Sequence, residues 1–214
     1  MSRGWFITFE GGEGGGKSTQ IRTLAAALEA AGHTVVMTRE PGGSPGAEAI
    51  RDLLVNGEAD RWSPVTETLL MYAARRDHLE RVIRPALDRG AVLLCDRFAD
   101  STRAYQGAAG GAPGALIAAL ETEVLQGTVP DLTLILDLPV EEGLKRALGR
   151  GGAEARFEAK GHAFHQRLRE AYVMIAQGEP DRCVLIDATG TQDDVARAIA
   201  QTVRGRLNLA GLGG

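Results

Sequence analysis

Aromatic residues make up only 5% of this chain, so a core must be filled by the Leu, Val, Ile and Ala that dominate its 44% hydrophobic share. Cysteine is almost absent. Cys95 and Cys183 each sit in or beside a short apolar run and read as free core thiols, not as a disulfide framework. No stretch of 18 apolar residues occurs and the N-terminus lacks a signal-peptide pattern, so no membrane partner and a cytoplasmic setting are expected. The net charge of -4 provides no global basic field for nucleic acid, and any anion site must be local. Of four histidines, His162 and His165 lie at i, i+3 without a neighbouring cysteine; they read as solvated helix residues rather than metal ligands. The only asparagines, Asn56 and Asn208, do not precede lysine, which excludes the Asn-Lys-x-Asp guanine motif of a GTPase. Lysine is equally scarce, at three residues against 21 arginines, so the place of each lysine carries weight.

One of the three is Lys17, at the end of a glycine-rich stretch. Five of the eight residues from Gly11 to Ser18 are glycine, and Gly11-x4-Gly16-Lys17-Ser18 fits the phosphate-binding P-loop pattern. The flanks fit as well. Trp5–Phe9 reads as a short buried strand, and Ile21, Leu24, Ala25 and Leu28 have helical spacing up to a stop at Gly32. Glycine admits positive φ and lets successive amides close on an anion. The following helix adds unpaired N–H groups and a partial positive charge. Gly11, Gly12, Glu13, Gly14, Gly15, Gly16, Lys17, Ser18 and Thr19 are therefore the expected phosphate-binding segment, with Lys17 reaching the β- and γ-phosphates and Ser18 offering its hydroxyl to Mg²⁺.

The rest of the chain alternates strand and helix. Further strands are expected at 34–38, 91–95, 132–136 and 183–186, all continuous apolar runs of the kind that helices cover on both faces. Helices are expected over Ala47–Val55, from an N-cap at Ser63 with Pro64 at the first position toward Asp88 with a kink at Pro85, and over Ser101–Gly107, Pro113–Gln126, Val140–Leu148, Phe157–Gln177 and Gln192–Leu207. Residues 208–214 read as a frayed tail. The fold class is α/β, with a five-stranded parallel sheet, in one domain spanning 1–214.

Ligands in such a sheet sit at the carboxyl ends of its strands. Those ends carry the P-loop, Arg39-Glu40-Pro41-Gly42-Gly43, Asp96-Arg97, Asp137, and Asp187-Ala188-Thr189-Gly190. An acid is needed there for Mg²⁺ or its waters. Position favours Asp96 over Asp137, whose other reading is a helix-start cap. Arg39, Arg51, Arg75, Arg97, Arg150 and Arg156 also lie near strand ends or loops. With a P-loop they point to two phosphate-bearing ligands facing each other, as in a small nucleotide kinase.

The motifs PheGluGlyGlyGluGlyGlyGlyLysSer at 9–18, ThrArgGluProGlyGly at 38–43, TyrAlaAlaArg at 72–75, AspArgPhe at 96–98, AspSerThr…AlaTyrGlnGly at 100–107, ProAspLeuThr at 130–133 and ArgPheGlu at 156–158 stand in this order. The chain thereby resembles bacterial thymidylate kinases along nearly its whole length. The resemblance implies the P-loop nucleoside monophosphate kinase fold, phosphorylation of dTMP by ATP with Mg²⁺, and a homodimer. It places Glu13 at the dTMP 3′-hydroxyl, Glu40 and Pro41 along the nucleoside, and Arg51, Arg97 and Arg39 at the monophosphate. Arg75 meets the thymine carbonyl with Thr102 and Gln106 nearby, and Tyr105 crowds the ribose 2′ position. Met71 stands where the family often stacks a phenylalanine on thymine. The P-loop lacks a basic residue from Gly12 to Gly15, so the resemblance assigns the helper arginine to a lid at about 149–156, as Arg150 or Arg156. A kinase of another nucleoside or monophosphate, and a non-catalytic nucleotide-binding module, are the competing readings.

Overall fold

The structure is a computed structural model that describes residues 3–58, 61–148, 161–207 and 209. Five strands, β1 (Phe6–Glu10), β2 (Val35–Arg39), β3 (Val92–Asp96), β4 (Leu132–Asp137) and β5 (Cys183–Asp187), form one sheet in the order β2-β3-β1-β4-β5, and every pairing is parallel. The five-stranded parallel α/β sheet expected from the apolar runs is present. Each strand, however, ends one residue later than the apolar run, and β1, β2 and β3 also begin one residue later. The polar residue that closes each run still belongs to the ladder: Phe9 is registered with Asp96, Glu10 with Ile135, and Asp137 with Asp187.

Alternation along β1 divides the core. Ile7 and Phe9 face helices α1 (Lys17–Ala30) and α9 (Gln192–Leu207), where Ile21, Leu24 and Leu28 meet Val195, Ile199 and Val203. On the other face, Phe6 packs with Leu93, Cys95, Leu79, Ile83 and Phe98. Farther along that face, Ile135 and Cys183 pack on Phe164, Leu168 and Tyr172 of α8 (His162–Gly178). Both cysteines are free and buried, as expected.

The remaining helices are α2 (Pro45–Val55), α3 (Pro64–His78), α4 (Arg84–Asp88), α5 (Ala99–Thr102), α6 (Gly114–Leu125) and α7 (Val140–Leu148). Ser63 caps α3 through a 3.2 Å bond accepted from the Thr66 amide, with Pro64 at the first turn. The stretch from Pro64 to Asp88 is not one kinked helix. A π turn at Leu79–Ile83 joins α3 to α4, with the Arg84 amide donating to the Leu79 carbonyl. The wider turn accommodates Pro85, which has no N–H to continue the regular ladder. A second π turn, Arg103–Ala109, continues α5. Helix α8 is described from His162, so the expected start at Phe157 lies outside the described residues. Leu209 corrects the tail reading at one position: its apolar side chain is buried in the same core cluster as Val203 and Leu207.

The order β2-β3-β1-β4-β5 places β1 between β3 and β4, where the crossovers diverge to opposite edges. A crevice above the carboxyl ends of those three strands follows.

Candidate active site

β1 delivers residues 11–16 into that crevice. Gly11, Gly14 and Gly16 have φ of 122°, 74° and 86°. At Gly14 a Cβ would also lie 2.1 Å from the Gly143 carbonyl oxygen on α7, so no side chain fits there. The loop ends at α1, whose first turn has neither a side-chain cap nor an acidic residue. The first turn therefore sets no carboxylate of its own against the helix's positive end. Lys17 curls back over the loop and donates to the carbonyls of Gly12 at 2.9 Å and Gly11 at 3.2 Å. Thr19 and Gln20 continue the same surface into an open groove that runs to Arg146 on α7 and to Ala188 and Thr191 after β5. Arg146, which the sequence reading did not single out, donates to the Ala188 carbonyl at 3.2 Å and pairs with Glu142.

The acids at the ends of β3 and β4 have different partners. Asp96 accepts from the Ser18 hydroxyl at 3.0 Å, and its Oδ1 is buried without a protein partner. Asp137 is held through both oxygens by Arg169, at 2.7 and 2.8 Å, and is not a helix-start cap. Ser18 and Asp96 thus form a hydroxyl–carboxylate pair with one oxygen to spare, a donor set that suits Mg²⁺. Among the described residues no group of three or more His, Cys, Asp or Glu could hold a metal, so the other ligands would be phosphate and water oxygens.

On the far side of Glu13 lies a second pocket. It gathers Glu13, Glu40, Pro41, Met71, Arg75, Arg97, Thr102, Tyr105 and Gln106 from across the sequence, all of them predicted site residues. Arg75 is 2% exposed. Its Nε donates to Glu40 at 2.7 Å and its Nη2 to the Phe98 carbonyl at 3.0 Å and the Thr102 hydroxyl at 3.1 Å, while Nη1 is buried without a partner. His78 Nδ1 meets the other Glu40 oxygen at 3.0 Å. Gln106 donates to the buried Glu67 at 2.8 Å. Met71 packs against the cluster that holds Tyr105 and Phe164.

Arg97 has φ of 69°, a left-handed conformation that a non-glycine residue adopts at a cost. Its guanidinium lies over the Tyr105 ring, 4.7 Å from the centroid, and donates to Glu13 at 2.9 Å and to the Gly11 carbonyl at 3.0 Å. Tyr105 donates to the same Glu13 oxygen at 2.6 Å. Burial would raise the Glu13 pKa, but Arg97, then Lys17 and the Tyr105 hydroxyl, hold it down at about 2. Glu13 is therefore a fixed anion that can accept hydrogen bonds but not supply a proton at neutral pH.

Not every predicted residue joins this group. Arg51 is half-buried beside it and donates to the Pro41 carbonyl at 2.8 Å. Arg39 is half-exposed and paired with Glu48 at 3.0 Å, because β2 is an edge strand and its last side chain turns outward. Arg150, Arg156 and the lid at 149–156 lie outside the described residues. The solvated reading holds for His162, which is exposed and pairs with Glu141 at 2.8 Å, but not for His165. That residue is 4% exposed, because it falls on the inward stripe of α8 with Leu168 and Tyr172. Sequence reasoning also passed over Glu10, Ser101 and Tyr172. Glu10 carried a visible signal, an acid closing an otherwise apolar strand.

The second pocket is thus joined to the P-loop through Glu13 and Arg97, the latter bonded to Glu13 and to the Gly11 carbonyl. A family model described as thymidylate kinase matches residues 9–199. A thymidylate kinase of Caulobacter vibrioides is 73% identical over 209 residues, covering 98% of this chain and all of that protein. One of a Bradyrhizobium species (strain BTAi1) is 55% identical over 207 residues, covering 96% and 92%. The crystal structure of thymidylate kinase from Ehrlichia chaffeensis superposes with a TM-score of 0.77 at 33% identity, covering 94% of this chain and 99% of that one. On these grounds the chain belongs to the thymidylate kinase family.

Proposed function

We propose that this protein transfers the γ-phosphoryl group of ATP to dTMP, giving dTDP and ADP. The observation that carries the reading is the position of Arg97 and Glu13 between the P-loop and a pocket built around Arg75. That arrangement fits a donor nucleotide on one side and a nucleoside monophosphate on the other.

The nucleophile is an oxygen of the dTMP phosphate. With a second pKa of about 6, that phosphate is mostly dianionic at neutral pH and needs no general base. The obstacle is electrostatic. Two unit charges about 4 Å apart repel by about 4 kcal/mol at an effective dielectric near 20. Lys17 would leave its loop carbonyls for the β- and γ-phosphates, and Arg97 would bridge acceptor and transferring groups. Ser18 and Asp96 would hold Mg²⁺, which would supply neutralisation of the donor's phosphate charge. Glu13, fully ionised, would accept the 3′-hydroxyl. Arg75, a donor only, would face the thymine 4-carbonyl with Nη1, Thr102 and Gln106 would flank the base, and Tyr105 would crowd a 2′-hydroxyl. Arg51 at the monophosphate and a lid arginine, Arg150 or Arg156, complete this reading. Arg146 gives the donor base a planar cation beside the groove after β5.

The homodimer and the cytoplasmic setting belong to the same proposal. Exposed Val65 and Leu69 on α3 support the first, and the two free buried thiols support the second. The test is ADP release from ATP with dTMP, dUMP, dCMP, UMP and thymidine as acceptors. dTMP should give the largest kcat/KM, and preference for another acceptor would transfer the reading to a different nucleotide kinase.

A further inference from the structure

Glu10 closes β1 on the face opposite α1 and is completely buried. Its carboxylate is wrapped by the chain that follows β3. Oε1 accepts from the Phe98 amide at 2.8 Å and the Ser101 amide at 3.3 Å. Oε2 accepts from the Ser101 hydroxyl at 2.6 Å and the Tyr172 hydroxyl at 3.0 Å. The two amides lie at the start of α5, which has no side-chain cap of its own. Glu10 fills that place from a neighbouring strand.

The residue just before Phe98 is Arg97, at φ 69°. A strained backbone of this kind persists only where surrounding bonds over-determine it. Here the Arg97 amide is held by the Phe9 carbonyl at 2.9 Å, its own carbonyl accepts from Cys95 Sγ at 3.0 Å, and the next amide is held by Glu10. Of these three restraints Glu10 is the only side chain that brings a carboxylate. The base end of the turn has separate anchors: the Phe98 carbonyl accepts from Arg75, and the Phe98 ring packs edge-on against Phe6 at 5.0 Å.

We propose that Glu10 is a positioning residue: it holds the Arg97 turn in its left-handed conformation and so sets the guanidinium where the acceptor's phosphate arrives. The proposal rests on the reading of Arg97 as a phosphate-binding residue. It makes a specific demand. Loss of Glu10 must weaken ligands through their phosphate and leave the nucleoside part nearly untouched.

The experiment measures calorimetric affinities of dTMP and of thymidine, which lacks the phosphate, for the parent chain and for Arg97→Ala, Glu10→Ala, Glu10→Gln and Glu10→Asp. Arg97→Ala should weaken dTMP tenfold or more with thymidine within threefold. Glu10→Ala should reproduce that pattern. Glu10→Gln should bind both ligands as the parent does, since an amide oxygen can still accept from Phe98 and Ser101 while its NH₂ donates to the two hydroxyls. If Glu10→Ala does not fold, Glu10→Asp decides on the same criterion, because its shorter side chain withdraws the oxygen from both amides. Equal weakening of dTMP and thymidine, or no weakening of either, in the deciding variant overturns the role of Glu10. Parent-like dTMP binding by Arg97→Ala would instead overturn the reading of Arg97 on which the proposal stands.

Discussion

Replacing Arg75 by alanine should relax base selectivity at a large cost in stability, and the two effects can be separated. The parent should use dCMP a hundredfold or more less well than dTMP. Arg75 can only donate, cytosine presents an amino group where thymine has a carbonyl, and two donors would face each other in a dry pocket. One such mismatch leaves about 1–3 kcal/mol unmet, or more at a charged group, which amounts to roughly 5- to 150-fold or greater. Without the guanidinium that penalty disappears, so the dTMP to dCMP ratio of kcat/KM should fall to about tenfold or less. The stability cost arises because Arg75 and Glu40 are a fully buried ion pair, 2.7 Å apart and 2% and 4% exposed. Removing one partner strands the other charge, typically at about 3–5 kcal/mol. His78 remains on Glu40 and limits the loss. Adding Glu40→Gln to Arg75→Ala removes the stranded charge, and should recover melting temperature but not selectivity. The assay is ADP-coupled turnover with both acceptors, beside thermal unfolding of each variant. An unchanged dTMP to dCMP ratio in the folded double variant would refute the argument that Arg75 reads the base.

Lys17→Ala should fold normally, because its ammonium lies on the loop, on the Gly11 and Gly12 carbonyls, and not in either face of the core, and should turn over a hundredfold or more slowly, on the order of 3 kcal/mol of lost transition-state stabilisation; steady-state kinetics with a melting curve checks both. Burial first, then Asp100, raises the Glu10 pKa from 4.5 to about 7, against the lowering effects of Ser101 and Arg97. The folded state then holds a proton the unfolded chain releases, so stability should fall as pH rises from about 4.5 to 7. Glu10→Gln should flatten that decline in unfolding measured against pH, while Glu13, held at about 2, acts below this window with the opposite sign. Met71→Phe should tighten dTMP binding severalfold, since a ring stacks on thymine with less freedom than a thioether; a calorimetric Kd no tighter than the parent's would contradict it.

The legible part of this protein was the part written in local chemistry. Glycine spacing ending in Lys17 gave the loop, and continuous apolar runs gave all five strands to within about a residue. The site residues of the second pocket followed from the resemblance rather than from spacing, and they do gather in one place. What stayed hidden depends on tertiary partners. Position favoured Asp96 over Asp137 beside the P-loop, but the partner of Asp137 was hidden: Arg169 on α8, some thirty residues beyond it, holds both its oxygens. The π turn before Pro85 was hidden because a proline near a helix end is equally compatible with a kink. His165 shows that a polar residue on an amphipathic helix takes its environment from the stripe it falls on, and the buried Glu10 shows that a strand-ending acid can cap a helix 88 residues away.

Phosphoryl transfer itself is the most direct test. ATP labelled in its γ-phosphate, incubated with the protein, Mg²⁺ and dTMP, should yield dTDP carrying the label in its β-phosphate, in amounts equal to the ADP formed. Label recovered as inorganic phosphate, or retained in ATP while the protein is folded and binds dTMP, would contradict the account.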